Sequence, residues 1–161
     1  MKKILLALGL GVLILAAIIL IRTALHQPHD LAPVTPVTIS LNEQQAVRHL
    51  SEAITFRTVS HQREADFQEA EFEGFISWVR QTYPQVHDSL ELRRVGGYTL
   101  LYRWPGSDPD LPPVLLTGHY DVVPVLPGTE SLWQQPPYSG DVVDEIIWGR
   151  GALDDKSAVV A

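Results

Sequence analysis

The sequence predicts an α/β fold, a mainly parallel sheet sandwiched by helices, preceded by one N-terminal transmembrane helix. Three observations lead there. Beyond residue 40, helical stripes of apolar residues alternate with short strand-like runs. Two of those runs, Val114–Leu116 and Ile146–Trp148, end abruptly in residues with ligand-capable side chains, at the strand edge where open α/β sheets place their ligands. Ahead of all this, Ile4 to Ile21 carries no charge, long enough for a short spanning helix.

At 161 residues the chain allows one modest domain with a real core. Composition is globular, 45% hydrophobic and 19% charged, although the N-terminal run inflates the first figure. A formal net charge of -7, with no basic patch, argues against nucleic acid as a partner. There is no cysteine, which fits an extracytoplasmic domain that does not rely on disulfides.

Residues 1–22 read as a signal-anchor helix. Lys2 and Lys3 precede the apolar run and Arg22 closes it, with no small-x-small site after it. An uncleaved, single-pass anchor is therefore favoured, with secretion after signal cleavage as the alternative. The charge bias keeps the N-terminus inside and puts the rest on the extracytoplasmic side. Residues 23–40 contain Pro28, Pro33 and Pro36 and read as an extended stalk, with His26 and His29 as solvated linker residues.

From Ser40 the pattern turns helical, with Ala46, Leu50, Ala53 and Ile54 in a stripe closed by Phe56–Ser60. His49 and His61 read as surface residues. A second helix is expected over about 64–81, with Phe72, Phe75, Ile76 and Val79 on its core face and a stop at Tyr83-Pro84. Leu90–Arg93 and Tyr98–Trp104 read as strands around Gly96-Gly97. After a loop over 105–113, Val114–Leu116 reads as a buried strand. Leu126–Gly140 is a proline-rich loop in which Trp133 is an anchor by packing, and Ile146–Trp148 is another short strand.

His119 and Asp121 follow the first of these apolar runs with one residue between them. In extended chain, residues two apart point to the same side. A metal-bound His commonly gives its other ring N–H to a carboxylate, and this pair fits such a role. Asp154 and Asp155 sit before Lys156–Val160, which looks like a helix start. A carboxylate there either caps the helix or reaches a cation. On spacing alone the bland readings, a satisfied His and a cap, hold.

The run Gly118-His119-Tyr120-Asp121-Val122-Val123-Pro124, then Trp133, Pro136–Gly140 and Gly149-Arg150-Gly151-Ala152-Leu153-Asp154-Asp155-Lys156, resembles one family in order and spacing. It is the co-catalytic zinc peptidase family of aminoacylase, acetylornithine deacetylase, succinyl-diaminopimelate desuccinylase and carboxypeptidase S. The likeness is greatest to the carboxypeptidase S branch, which includes secreted N-acyl-amino-acid hydrolases. It covers roughly Leu41 to Ala161.

The resemblance implies a zinc-exopeptidase-like catalytic domain over 41–161 and amide hydrolysis beside a free carboxylate. The substrates would be small peptides, cut at the C-terminal residue, or N-acyl amino acids. It implies two zinc ions in the complete enzyme, and cobalt or manganese also suits such a mixed N/O site. His119 would be a terminal ligand of one zinc and Asp154 the carboxylate bridging both. Asp121 would be the catalytic carboxylate orienting the His119 imidazole. Asp155 would serve the helix start or the support around the ligands.

Ser157 stands where many members have Gly, and Asp144-Glu145 form a turn that often holds Gly. The family's general-base Glu, its remaining ligands and the inserted domain through which members form homodimers would come after Ala161. The expectation is therefore an N-terminal portion of a longer enzyme, inactive alone. The alternative is a catalytically inactive, membrane-tethered binding or remnant protein of the same fold.

Overall fold

The computed structural model describes residues 2–26, 36, 38–61, 63 and 66–160. The chain divides into two compact units, Met1–Ile39 and Ser40–Ala161. The first contains helix α1, Lys2–Ala24, whose side chains bury nothing within the unit. Its mean hydropathy reaches 3.2 over an 18-residue window. Such an all-round apolar helix is long and apolar enough to cross a membrane. A signal sequence meets the same description. The proline-containing stalk falls mostly on 27–35 and 37, outside the described residues.

The second unit opens with α2, Glu43–Ile54. Asn42 caps it, its Oδ1 accepting the Gln45 backbone N–H at 3.1 Å. The buried positions are His49, Ala53 and Ile54. His49 is thus not a surface residue. It takes the inward place in the stripe while Ala46 is exposed, and its Nδ1 lies 2.9 Å from the Tyr83 hydroxyl. A buried polar ring is tolerated because that partner satisfies it.

Helix α3, Glu69–Thr82, begins later than the periodicity suggests and buries Phe72 and Phe75. After Tyr83 the chain does not simply stop. Pro84, with its preset φ, starts the short helix α4, Pro84–Ser89. Strands β1, Glu91–Val95, and β2, Thr99–Arg103, then pair antiparallel, with Val95 opposite Thr99. Gly96 and Gly97 turn the chain at φ of 61° and 90°, values that suit glycine. Arg94 pairs with Glu73 and ties the hairpin to α3.

A second hairpin, β3 at Val142–Val143 and β4 at Ile146–Ile147, turns through Asp144 and Glu145, both at positive φ. Asp144 and Glu145 themselves adopt the turn where glycine is more usual. The chain ends its described part with α5, Lys156–Val160.

Both described sheets are two-stranded and antiparallel. Parallel pairing among the described residues is a single bridge, Val59 with Val122. It is closed by Ser60 N–H to Val122 O at 3.0 Å and Val122 N–H to Thr58 O at 2.8 Å. Val114–Leu116 is not a strand. Its side chains are 85%, 76% and 88% exposed, because no described segment pairs with its backbone. β-propensity without a partner does not make a strand.

The core lies where α2, α3 and the bridge meet: Ala53, Ile54, Val59, Phe72, Phe75 and Val122, with Thr58 and Lys156 also buried.

Candidate functional site

Tyr120 organises the first half of the site. It points opposite to its neighbours His119 and Asp121, as alternation in extended chain requires. Its ring stacks on Phe75 of α3, centroids 4.5 Å apart and planes within 8°. Its hydroxyl donates to Tyr98 O at 2.6 Å, and burial pushes its pKa up to about 12. On the backbone side, Thr58 Oγ1 donates to Tyr120 O at 2.5 Å. With Tyr120 fixed to the core, His119 and Asp121 are directed outwards.

His119 is half exposed and contacts acceptors through both ring nitrogens. Nδ1 is 3.0 Å from the Asp121 backbone carbonyl and 3.2 Å from Asp121 Oδ1. Nε2 is 3.0 Å from Asp154 Oδ1. The ring therefore leans on the backbone carbonyl of Asp121 at least as much as on its carboxylate. Ser60 Oγ donates in turn to Asp121 Oδ2.

The hydrogen bond to the Asp121 carbonyl, with the charges of Asp121 and Asp154, holds His119 above the ordinary histidine range. A neutral imidazole has one N–H. If that proton serves Asp121, the Nε2 lone pair faces a carboxylate oxygen. Such an arrangement needs a second proton or a cation between the two atoms.

The second half of the site is the turn 149–155, whose Asp154–Asp155 peptide is cis. Gly151 sits at φ 89°, and a Cβ there would lie 2.6 Å from Val122 Cγ1. Only glycine lets this turn approach the first half so closely. Asp155 Oδ2 accepts the His119 backbone N–H at 3.2 Å, so Asp155 supports the first half of the site. Lys156 is fully buried. Its Nζ donates to Ala53 O at 2.8 Å and Phe56 O at 2.6 Å, and burial pushes its pKa down to about 8.

The structure thus brings His119, Asp121 and Asp154 together at an open surface, with the Asp154 side chain 85% exposed. Among the described residues no cluster of three or more His, Asp or Glu forms a metal cage. The pair that does face itself fits a cation. Zinc holds N and O ligands at about 2.0–2.2 Å, which puts two ligand atoms roughly 3 to 3.5 Å apart. Among the described residues the second carboxylate oxygen of Asp154 has no hydrogen-bond partner.

Sequence reading misses three supports: Tyr120, Ser60 and Lys156. Alternation could have found Tyr120, since a large aromatic between two outward residues must point inwards. No local signal marks Ser60, whose partner is 61 residues away, or the carbonyls that receive Lys156. Trp133 is half-buried, with the Arg150 guanidinium 5.0 Å from its ring centroid.

Comparison with known proteins agrees with the motifs. Residues 115–161 match the model of peptidase family M20/M25/M40. The chain is 37% identical over 158 residues to a probable carboxypeptidase S-like 2 of Dictyostelium discoideum, covering 94% of this chain and 30% of that protein. It is 39% identical over 124 residues to carboxypeptidase S of Saccharomyces cerevisiae, covering 72% of this chain and 21% of the relative.

An N-fatty-acyl-amino acid synthase/hydrolase PM20D1 of Xenopus tropicalis is 36% identical over 157 residues, 93% of this chain and 30% of the relative. The chain therefore spans less than a third of the length of these curated relatives. No solved structure matches it. The matches bear out the resemblance read from the two motifs: the family is that of the M20 peptidases, on the carboxypeptidase S branch.

Proposed function

We propose that this chain supplies part of the active site of a membrane-anchored, zinc-dependent hydrolase. It would cleave an amide bond beside a free carboxylate, in small peptides at the C-terminal residue or in N-acyl amino acids. The observation that carries the reading is the facing of His119 Nε2 and Asp154 Oδ1, 3.0 Å apart at an open surface. The names of the M20 relatives, carboxypeptidase S and an N-fatty-acyl-amino acid hydrolase among them, supply the substrate class.

In this reading His119, through Nε2, and the Asp154 carboxylate would be the residues of this chain that hold zinc. When bound, two zinc ions would lower the pKa of a shared water and polarise the scissile carbonyl. The carbonyl and carboxylate of Asp121 would hold the proton on His119 Nδ1 and leave Nε2 as the ligand atom. Ser60 holds Asp121 in place. The open position of Asp154 leaves room for further ligands and substrate.

The finer fold reading, a mainly parallel sheet, is supported by the parallel bridge of Val59 with Val122. The exposed apolar run Val114–Leu116 would be its unpaired neighbour. Helix α1 would anchor the protein in a single pass, Lys2 and Lys3 on the inner side and the catalytic unit on the extracytoplasmic side.

The test is hydrolysis by the full-length protein of N-acyl amino acids and dipeptides, against the same compounds with the carboxylate amidated. Turnover that disappears with a chelator, returns with zinc and is confined to the free carboxylates is the expected result. Turnover indifferent to metal removal contradicts the zinc assignment, and no hydrolysis of either set contradicts the enzyme.

A further inference from the structure

We infer that Lys156 is a positioning residue for Asp154, clamping the turn that carries this carboxylate to the C-terminal end of α2. The inference rests on the metal-site reading above for its functional meaning, and on geometry for its substance. Among the described residues the Asp154 side chain has one polar contact, His119 Nε2, and it is otherwise in solvent. Nothing around the carboxylate itself fixes its direction, so the backbone on either side must do so.

The turn is fixed twice, both times through Lys156. Its backbone N–H donates to Gly151 O at 3.0 Å and closes the turn 151–156 on itself. Its side chain leaves the turn and runs into the core. Its Nζ reaches Ala53 O in the last turn of α2 and Phe56 O just past the helix end, and stands 5.4 Å from the Phe75 ring centroid.

The last carbonyls of a helix lack intrahelical donors and lie at the negative end of its dipole. An ammonium group is a fitting partner for them. Burying one is nonetheless costly, and a water or a neutral side chain could cap α2 without that cost. What only a long, fixed side chain from the turn achieves is a rigid link across 100 residues of sequence. The adjoining Asp155, bonded to the His119 backbone, fixes the turn against the other half of the site. Asp154 is thus held between two anchors and aimed at His119.

The test uses the full-length protein with Lys156→Met, which keeps the volume and removes the donors, and Lys156→Gln, which keeps one amide donor group. Two quantities are read: the imidazole nitrogen shifts of His119 in metal-free protein, and the affinity for cobalt(II). The expected result is a folded Met variant whose His119 shifts move away from the Asp154-paired values and whose cobalt affinity falls roughly 10- to 100-fold. Gln is expected to be intermediate.

Lower thermal stability with unchanged His119 shifts and unchanged cobalt affinity would overturn the inference and leave Lys156 a structural residue only. If the Met variant does not fold, the Gln variant decides by the same two quantities. Should the unaltered protein bind no cobalt, the metal reading fails, and the His119 shifts alone uphold or overturn the positioning role.

Discussion

The two halves of the site are held by opposite means. The first, 118–122, is anchored by a neutral aromatic: Tyr120 stacks on Phe75 and its backbone pairs with 58–60. The second, 149–156, is anchored by a buried cation, Lys156, bonded to the end of α2. Both anchors meet one ring, since Phe75 lies under Tyr120 and beside the Lys156 ammonium. The polar face needs exposure to work, and its precision comes from residues on the other side of the backbone. What reads as a ligand motif is half outward polar side chains and half anchors.

The harshest way to break this symmetry is to remove the shared ring. Phe75→Ala should destabilise the Ser40–Ala161 unit by about 3–5 kcal/mol, the usual cost of emptying a buried aromatic site. Denaturant unfolding checks it. A loss under about 1 kcal/mol would mean that the two anchors do not converge on Phe75.

Next comes the approach of one half to the other. Gly151→Ala would place a Cβ 2.6 Å from Val122 Cγ1 at a φ of 89°. A loss of about 1–3 kcal/mol is expected from the overlap, together with a weaker His119–Asp154 contact seen in the His119 ring shifts. An unperturbed His119 would show that the halves are positioned independently.

How much of this the sequence discloses follows from how local each cause is. The Gly96-Gly97 hairpin and the amphipathic helices α2 and α3 are legible because their signals lie within one element. Likewise His119, Asp121 and Asp154 stand out by motif, and the structure brings them together. His49 misleads because its satisfying partner, the Tyr83 hydroxyl, is 34 residues away. Lys156 is passed over for a related reason: lysine is seldom buried, and its partners are main-chain carbonyls that carry no residue-type signal. Val114–Leu116 has the composition of a strand, but composition cannot supply the neighbour that makes one.

A gentler change separates the components of the first anchor. Tyr120→Phe keeps the stack on Phe75 and removes only the hydrogen bond to Tyr98 O. The expected cost is about 1 kcal/mol, with the His119 shifts unchanged. A cost several times larger would make the hydroxyl, rather than the stack, the anchor of this half.

The smallest effect lies at the periphery. Pairing with Arg94 holds the Glu73 carboxyl below its ordinary range. A lowered folded pKa contributes stability that is present above the unfolded value and is lost as pH falls through the folded one. The pair is exposed, so the contribution is small. Acid titration of stability in Glu73→Gln should therefore be slightly flatter than in the unaltered protein. An equal or steeper acid slope would contradict the pairing.

The most direct measurement of the central claim is His119→Ala in the full-length protein, with bound zinc and amide hydrolysis determined on the folded variant. Loss of hydrolysis together with loss of bound zinc, at unchanged circular dichroism, is the expected result. Unaltered zinc content and turnover in the folded variant would contradict a metal centre built on His119 and Asp154.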